Sequence, residues 1–154
     1  MQLTSSAFRD QGIIPSLYTC EGQNINPPLS WADMPPETKS FVLILDDSDV
    51  PKHVRPDGMW DHWILFNIPP NVHHITANWT PPTSLSGKTT WGNTLYGGPC
   101  PPDREHRYFF KLYALDTLLS LPVGSLKKEI EKAMAGHILA HAQLIGRYEK
   151  GKNY

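Results

Sequence analysis

The stretch that decides the fold runs from Phe41 to Ile68 and reads FVLILDDSDVPKHVRPDGMWDHWILFNI. It begins with a continuous apolar run, residues 41–45, of the kind found in a β-strand buried on both faces. It ends with WDHWILFNI, residues 60–68, which alternates enough to predict a second strand with Trp60, His62, Ile64, Phe66 and Ile68 on one face. The polar connection between the two runs allows the strands to pair antiparallel.

Further elements follow on both sides of this stretch. Residues 106–115 (HRYFFKLYAL) are aromatic-rich and alternate, which predicts a third strand. Residues 126–135 predict a helix, with Ser125 as its N-cap and Gly136 as its end, and residues 138–148 predict a strand. Weaker strand signals lie at residues 3–8, 29–31 and 75–79. The Gly- and Pro-rich residues 80–105 are expected to form one long loop, and loops of that length are usually functional.

Composition narrows the fold class and the possible partners. The chain has 154 residues, 40% of them hydrophobic, with 15 prolines and 11 glycines, mostly between the short apolar runs. This pattern predicts a single domain over residues 1–154, mainly β, built as an antiparallel β-sandwich with a few small helices. The formal net charge of −1 gives no reason to expect binding to nucleic acid or to an anionic membrane.

Localisation and redox state follow from the N-terminus and the cysteines. The first residues lack a charged segment followed by an apolar one, and no run of 18 apolar residues occurs, so we expect a cytoplasmic protein without a transmembrane segment. The two cysteines, Cys20 and Cys100, form no metal-binding spacing. In a reducing compartment they are expected to be free thiols, with a disulfide as the alternative.

Polar residues cluster at matching ends of the three best strands. The first strand runs into Asp47 and Asp49, whereas His62 lies near the start of the second and His106 and Tyr108 at the start of the third. If the first strand pairs antiparallel with the second, and the third runs parallel to the second, these groups share one edge of the sheet. The sequence therefore predicts a site at that edge, with loop 80–105 as its wall.

The same residues carry a resemblance to a known family. The segments LILDDSDVP, MWDHWILFNIP and YGGPCPPDREHRYFFKLYALD resemble the signatures of the phosphatidylethanolamine-binding proteins, specifically the bacterial Raf-kinase-inhibitor-like branch. The resemblance implies an antiparallel β-sandwich with an anion-binding pocket. The pocket residues that it implies are Asp47, Asp49, Trp60, His62, Gly98, Pro101, Pro102, His106 and Tyr108.

Three positions within these segments bear on that resemblance. Ser48 stands where the family usually has proline, so we expect a looser turn around Asp47. Arg107 lies in the last of these segments, at a position that matches the family pattern. Strand alternation turns its side chain to the face opposite the pocket, which indicates a structural role. Asp61 is expected to face away from the pocket for the same reason.

The expected function is non-enzymatic binding of a small anionic or phosphorylated ligand. Inward donors would be His62, His106, the Tyr108 hydroxyl and backbone N–H groups near Gly98. An aspartate that accepts a hydrogen bond from a histidine would favour the imidazolium, so anion affinity should fall as pH rises through the histidine pKa of about 6.5. No cofactor is expected. The resemblance also implies a kinase or protease as a possible regulated partner, and weakly favours a homodimer.

Two alternatives stay open at this level. The first is a small hydrolase that uses the Asp, His and Tyr groups of the pocket, or a Cys100–His106 pair, for acid–base or nucleophilic chemistry. Against it, the sequence contains no nucleophile elbow, P-loop or HExxH motif. The second is a zinc site formed by His62, His106 and Asp47.

Overall fold

The computed structural model describes residues 1–152. Within them the chain forms nine strands, one α-helix and a 3₁₀ turn at Ser16–Tyr18. The α-helix, α1, spans Lys127–Met134. The strands are β1 (Gln2–Thr4), β2 (Gly12–Ile13), β3 (Leu29–Ala32), β4 (Ser40–Asp47), β5 (Trp60–Ile68), β6 (His74–Ile75), β7 (Leu85–Ser86), β8 (His106–Leu115) and β9 (Ile138–Tyr148).

The strands form two sheets, and the fold is mainly β, as predicted. The larger sheet has the order β2-β9-β8-β4-β5-β7 and the smaller one β1-β3-β6. Pairing is antiparallel throughout both sheets except between β2 and β9, which run parallel. Because β4 pairs antiparallel with both β5 and β8, those two strands run in the same direction on either side of it. This is the arrangement on which the predicted site depends.

Strand β4 is buried along its whole length because both of its faces are covered. Phe41, Leu43 and Leu45 belong to the main core, which also contains residues of the smaller sheet such as Leu3 and Trp31. The alternate residues Val42 and Ile44 belong to a second cluster that includes Ile130 and Met134 of α1. The continuous apolar run of residues 41–45 is explained by this double burial.

Strand β5 departs from the alternation predicted for it. Ile64 and Phe66 pack in the cluster beside α1, whereas Ile68 lies in the main core, so the five residues expected on one face are divided between two. The pairing with β4 shifts register between Leu45–Trp63 and Asp46–Asp61, which is a β-bulge at His62. A second irregularity follows at Asn67, whose φ is +53°.

The remaining predicted elements are partly confirmed. Helix α1 is found one residue shorter at each end than predicted, and Gly136 follows it with a φ of +83°. The weak strand signals correspond to β1 and β6, which are shorter than predicted, and to β3, which is one residue longer, and the expected long loop contains the two-residue strand β7. Among the described residues, no helix combines the length and the apolar character needed to cross a membrane.

The prediction of two free thiols is wrong. Cys20 and Cys100 form a disulfide, with their Cα atoms 5.5 Å apart. The segment after the 3₁₀ turn packs against the loop before β8, where Cys20 N–H donates a hydrogen bond to the Pro99 carbonyl at 3.1 Å. This contact joins segments separated by 80 positions, so spacing along the chain gives no indication of it.

Candidate functional site

The rim formed by the end of β4 and the starts of β5 and β8 surrounds a pocket of about 270 Å³. Asp47 lies opposite Trp60 on one neighbouring strand and opposite Tyr108 on the other. The polar lining consists of Asp47, His62, His106 and Tyr108. The remainder is largely apolar: Val50, Val54, Trp60, Trp91, Cys100, Pro101 and Pro102. The structure thus brings together all the predicted site residues except Asp49 and Gly98.

His106 is fully buried and lies between two carboxylates. Its Nδ1 atom is 2.6 Å from Asp47 Oδ2, and its Nε2 atom is 2.6 Å from Asp103 Oδ1. Since ionised carboxylates only accept hydrogen bonds, this geometry suits both N–H groups of an imidazolium. Neither ring nitrogen is left for a ligand, so His106 is not the free inward donor expected from the sequence.

The two carboxylates beside His106 have opposite pKa shifts. Burial raises the pKa of Asp47 above its usual value, although hydrogen bonds from His106 and from the Asp49 N–H group oppose the shift. Burial also acts to raise the pKa of Asp103, but the hydrogen bond from His106 and its charge outweigh it and the pKa is lowered. The ionised form is therefore favoured at Asp103 and disfavoured at Asp47.

His62 is held in one tautomer by the loop that follows β7. Its Nδ1 atom lies 2.7 Å from the carbonyl oxygen of Gly97, an atom that can only accept, so Nδ1 carries the proton. Burial lowers the pKa of His62 to about 4, although the carbonyl groups of Gly97 and Gly98 and the charge of Asp46 oppose the shift. The ring is therefore neutral near pH 7, with its lone pair on Nε2.

Tyr108 supplies a donor that no other group uses. Its side chain is fully buried, and within residues 1–152 its hydroxyl makes no hydrogen bond of ordinary geometry, although the backbone of Cys100 lies close enough to act on its pKa. Burial and the nearby charge of Asp47 raise its pKa far above the usual value, so the hydroxyl stays protonated. Its ring packs edge-on against His62, with centroids 5.3 Å apart. A buried, unpaired hydroxyl in a pocket wall is costly unless a ligand accepts its proton.

Comparison with known proteins identifies the family. A family model described as phosphatidylethanolamine-binding protein matches residues 4–149. The chain belongs to this family. A UPF0098 protein of Methanothermobacter thermautotrophicus is 49% identical over 98% of this chain and 100% of its own length. One from Chlamydia trachomatis is 49% identical over 97% of this chain and 99% of its own.

Solved structures of the same family have the same fold. The crystal structure of CT736 from Chlamydia trachomatis, described as a putative phosphatidylethanolamine-binding protein homolog, gives a TM-score of 0.94 at 48% identity, covering 97% of each chain. Escherichia coli YbcL, described as a new member of the mammalian family, gives 0.87 at 28% identity, covering 96% of this chain and 97% of its own. These matches confirm the predicted fold class and the family resemblance that the sequence segments indicated.

Two residues that the family resemblance implied lie outside the pocket lining. Asp49 forms a two-pronged pair with the Arg107 guanidinium at 2.9 and 3.0 Å and accepts the Arg107 N–H at 2.9 Å. Gly98 donates its N–H to Asn24 Oδ1 at 2.8 Å, so this group is not free for a ligand. A Cβ at Gly98 would lie 2.1 Å from the Tyr18 carbonyl oxygen, so glycine is needed here for close packing.

The turn after β4 is restrained despite Ser48. Asp47 Oδ1 accepts the N–H of Asp49 at 2.7 Å, and Asp49 is in turn fixed by Arg107. These hydrogen bonds supply the order that a locked proline φ would otherwise provide. Arg107 thus takes the structural role that alternation suggested for it.

Besides the apolar lining residues Val50 and Val54, the sequence did not indicate the roles of Trp91, Asp103 and Gly97. Trp91 packs edge-on against Trp60 and His62, with centroids 5.4 and 5.1 Å away, and forms a second aromatic wall. Asp103 holds His106, and Gly97 sets the tautomer of His62. Asp103 precedes His106 by three positions, which was the available signal. Trp91 lies inside the long loop, where no periodicity indicates its direction.

The structure also bears on the two alternative chemistries. Cys100 is in a disulfide and has no thiolate, so a nucleophilic Cys100–His106 pair is absent in this state. Within residues 1–152 no group of three or more His, Cys, Asp or Glu side chains has the geometry to hold a metal ion.

As expected, Asp61 turns away from the pocket, and its Oδ1 lies 2.7 Å from Lys127 Nζ.

Proposed function

We propose that this protein is a non-enzymatic binding protein whose pocket takes a small phosphorylated or otherwise anionic group. The observation that carries the proposal is the unpaired Tyr108 hydroxyl, buried in a pocket wall beside His62 and the Asp47–His106 pair. A ligand oxygen that accepts from this hydroxyl removes the penalty of an unsatisfied buried donor. Membership of the phosphatidylethanolamine-binding protein family supports a binding role.

The shape of the pocket indicates what surrounds the anionic group. Trp60, Trp91 and Val54 form apolar walls next to the polar floor, and Trp91 and Val54 are substantially exposed at 45% and 44%. Such walls suit the organic part of a phosphomonoester. The same group presented on a kinase or protease would let the protein regulate that partner by binding, which is the partner class that the family suggests.

Tyr108→Phe tests the proposal. The variant keeps the ring and removes the donor, so we expect affinity for phenyl phosphate to fall about tenfold or more, the value of one good hydrogen bond. Folding stability should stay equal or rise slightly, because the unpaired hydroxyl leaves the core. Isothermal titration calorimetry gives the affinity and urea denaturation the stability.

The matched control is Tyr113→Phe, on the same strand. Tyr113 belongs to the face of β8 that carries Lys111 and packs beside the α1 cluster, outside the pocket. Its loss should leave phenyl phosphate affinity unchanged. Equal affinity of the Tyr108→Phe variant and the wild type would contradict the proposal. Steady release of p-nitrophenol from p-nitrophenyl phosphate, abolished by changes at His62, would favour the hydrolase instead.

A further inference from the structure

Two groups that line the pocket differ in hydrogen-bonding character, since one donates a proton and the other accepts one. This difference restricts the ligand more than a requirement for negative charge alone. Tyr108 offers a proton through its unpaired hydroxyl. His62 offers a lone pair, because the proton of its neutral ring is on Nδ1 and points to the Gly97 carbonyl at 2.7 Å. A ligand that satisfies both groups must accept at one atom and donate at another.

The charges around the pocket also disfavour a fully ionised ligand. Asp47 and Asp103 share the imidazole of His106, and Asp103 also lies 3.7 Å from the exposed Arg104 guanidinium, so these cationic partners are already engaged. The Arg107 guanidinium is already paired with Asp49. No lysine or arginine lies in the pocket lining, where Asp47 is the acidic side chain. A dianion would therefore find no unpaired lysine or arginine in the pocket lining to offset its second charge.

We propose that the pocket selects an oxyanion that still carries a proton: the monoanion of a phosphomonoester or phosphonate, whose P–OH group donates to His62 Nε2 while another oxygen accepts from Tyr108. This inference rests on the proposed function and specifies the ionisation state and ester class of its ligand. Sulfate esters have no such proton near neutral pH. They leave His62 unsatisfied and are rejected, because an unpaired buried acceptor is costly.

The charged and titratable groups that face His62 are consistent with this role. From β8 they are His106 and Tyr108, and from β4 they are Asp47 and, on the far face, Asp46. Burial outweighs the attraction of Asp46 and lowers the pKa of His62 to about 4. A phosphomonoester loses its second proton at about pH 6. Around that pH the ring of His62 is neutral, so the proton in the hydrogen bond between the ligand and His62 comes from the ligand.

The closing experiment is calorimetric titration of the wild-type protein from pH 5 to 8 with three matched ligands. These are phenyl phosphate, benzylphosphonate, which is less acidic, and α,α-difluorobenzylphosphonate, which is more acidic than benzylphosphonate. Affinity should decline as pH rises, with a midpoint that follows the second ionisation of each ligand. Phenyl sulfate has the same shape as phenyl phosphate but carries no acidic proton. At pH 5.5 it should bind at least about tenfold more weakly than phenyl phosphate, which corresponds to the loss of one hydrogen bond.

Each outcome of the titration is decisive. A midpoint common to all three ligands would show that a group on the protein titrates, and would overturn this inference while leaving an anion pocket in place. Phenyl sulfate binding as tightly as phenyl phosphate would do the same. Absence of binding for every ligand at every pH would instead overturn the proposed function itself, and this inference with it.

Two further measurements locate the effect at His62. In protein labelled with ¹⁵N-histidine, the His62 Nε2 resonance should have the shift of an unprotonated ring nitrogen, and should remain in that class when phenyl phosphate binds. A protonated Nε2 in the complex would contradict the proposal. In the His62→Gln variant the side-chain amide can donate as well as accept, so discrimination between phenyl phosphate and phenyl sulfate should disappear. The control is His141→Gln, at an exposed position of β9, which should retain the discrimination.

Discussion

Asp46 and Asp47 are consecutive residues of β4 and almost equally buried, with exposures of 1% and 3%, yet their surroundings differ. Asp46 faces α1, where Lys111 Nζ and Lys127 Nζ lie 3.1 and 3.3 Å from its Oδ2. Asp47 faces the pocket and pairs with a histidine that a second carboxylate shares. One strand thus presents a carboxylate held by two lysines on one face and, on the other, a carboxylate–imidazole–carboxylate chain whose outer member, Asp103, lies 3.7 Å from Arg104.

This difference distinguishes the face of β4 that packs beside α1 from the face that lines the pocket. On the α1 face, two lysines balance Asp46 and Asp61, and Lys127 Nζ joins both carboxylates. Each face also has an unpaired buried oxygen, Asp46 Oδ1 on the α1 face and the Tyr108 hydroxyl on the other, and the Tyr108 hydroxyl belongs to a residue that lines the pocket. Proteins rarely leave buried polar groups unsatisfied, so an unpaired hydroxyl donor in a cavity wall marks the face that a ligand can complete.

The largest expected effect tests how far the pocket face depends on its wall. Replacing both Cys20 and Cys100 by serine opens a loop of 80 residues, and the chain-entropy model predicts a loss of about 4 kcal/mol in the free energy of unfolding. Urea denaturation of the double variant measures it, and wild-type protein treated with a dithiol should lose the same amount. Midpoints insensitive to both changes would show that the bridge does not stabilise the wall.

The next effect is a pH dependence that originates on the pocket face. The pKa of folded His62 lies at about 4, below its unfolded value of 6.5, so the stabilisation is fully present above pH 6.5 and is lost as pH falls towards 4. The loss amounts to about 3 kcal/mol. Denaturation between pH 4 and 7 should show this slope in the wild type and in His141→Gln, and a flatter one in His62→Gln. Parallel curves for all three would contradict the assignment.

The smallest effect compares the two aspartates directly. Asp46→Asn removes the charge between two lysines and should reduce the free energy of unfolding by about 2 kcal/mol, less than for a fully buried pair because both lysines are partly exposed. Asp47→Asn should reduce it less, since burial already raises the pKa of Asp47 and disfavours its charge. Urea denaturation at pH 7 measures both variants. A larger loss for Asp47→Asn would reverse the comparison.

Prediction from sequence succeeded where local pattern and strand direction suffice. The run of residues 41–45 is apolar throughout because β4 is covered on both faces, and this was readable from the sequence. The shared rim of Asp47, His62, His106 and Tyr108 follows from which end of each strand is polar. The division of β5 between two faces was not readable, because the irregularities at His62 and at Asn67 each change which side the following residues face without leaving a mark in the pattern.

The mainly β fold, the family and the set of polar groups that meet at one sheet edge could all be derived from the amino-acid sequence, because each depends on motifs and alternation within short segments. Which of those groups remain available to a ligand became clear from the three-dimensional structure. Asp103 occupies His106, Gly97 sets the tautomer of His62, and Cys20 bridges to Cys100. The physical reason is that hydrogen-bond saturation and disulfide pairing depend on distances of a few ångströms between loops, and loop paths have no periodicity from which to read them.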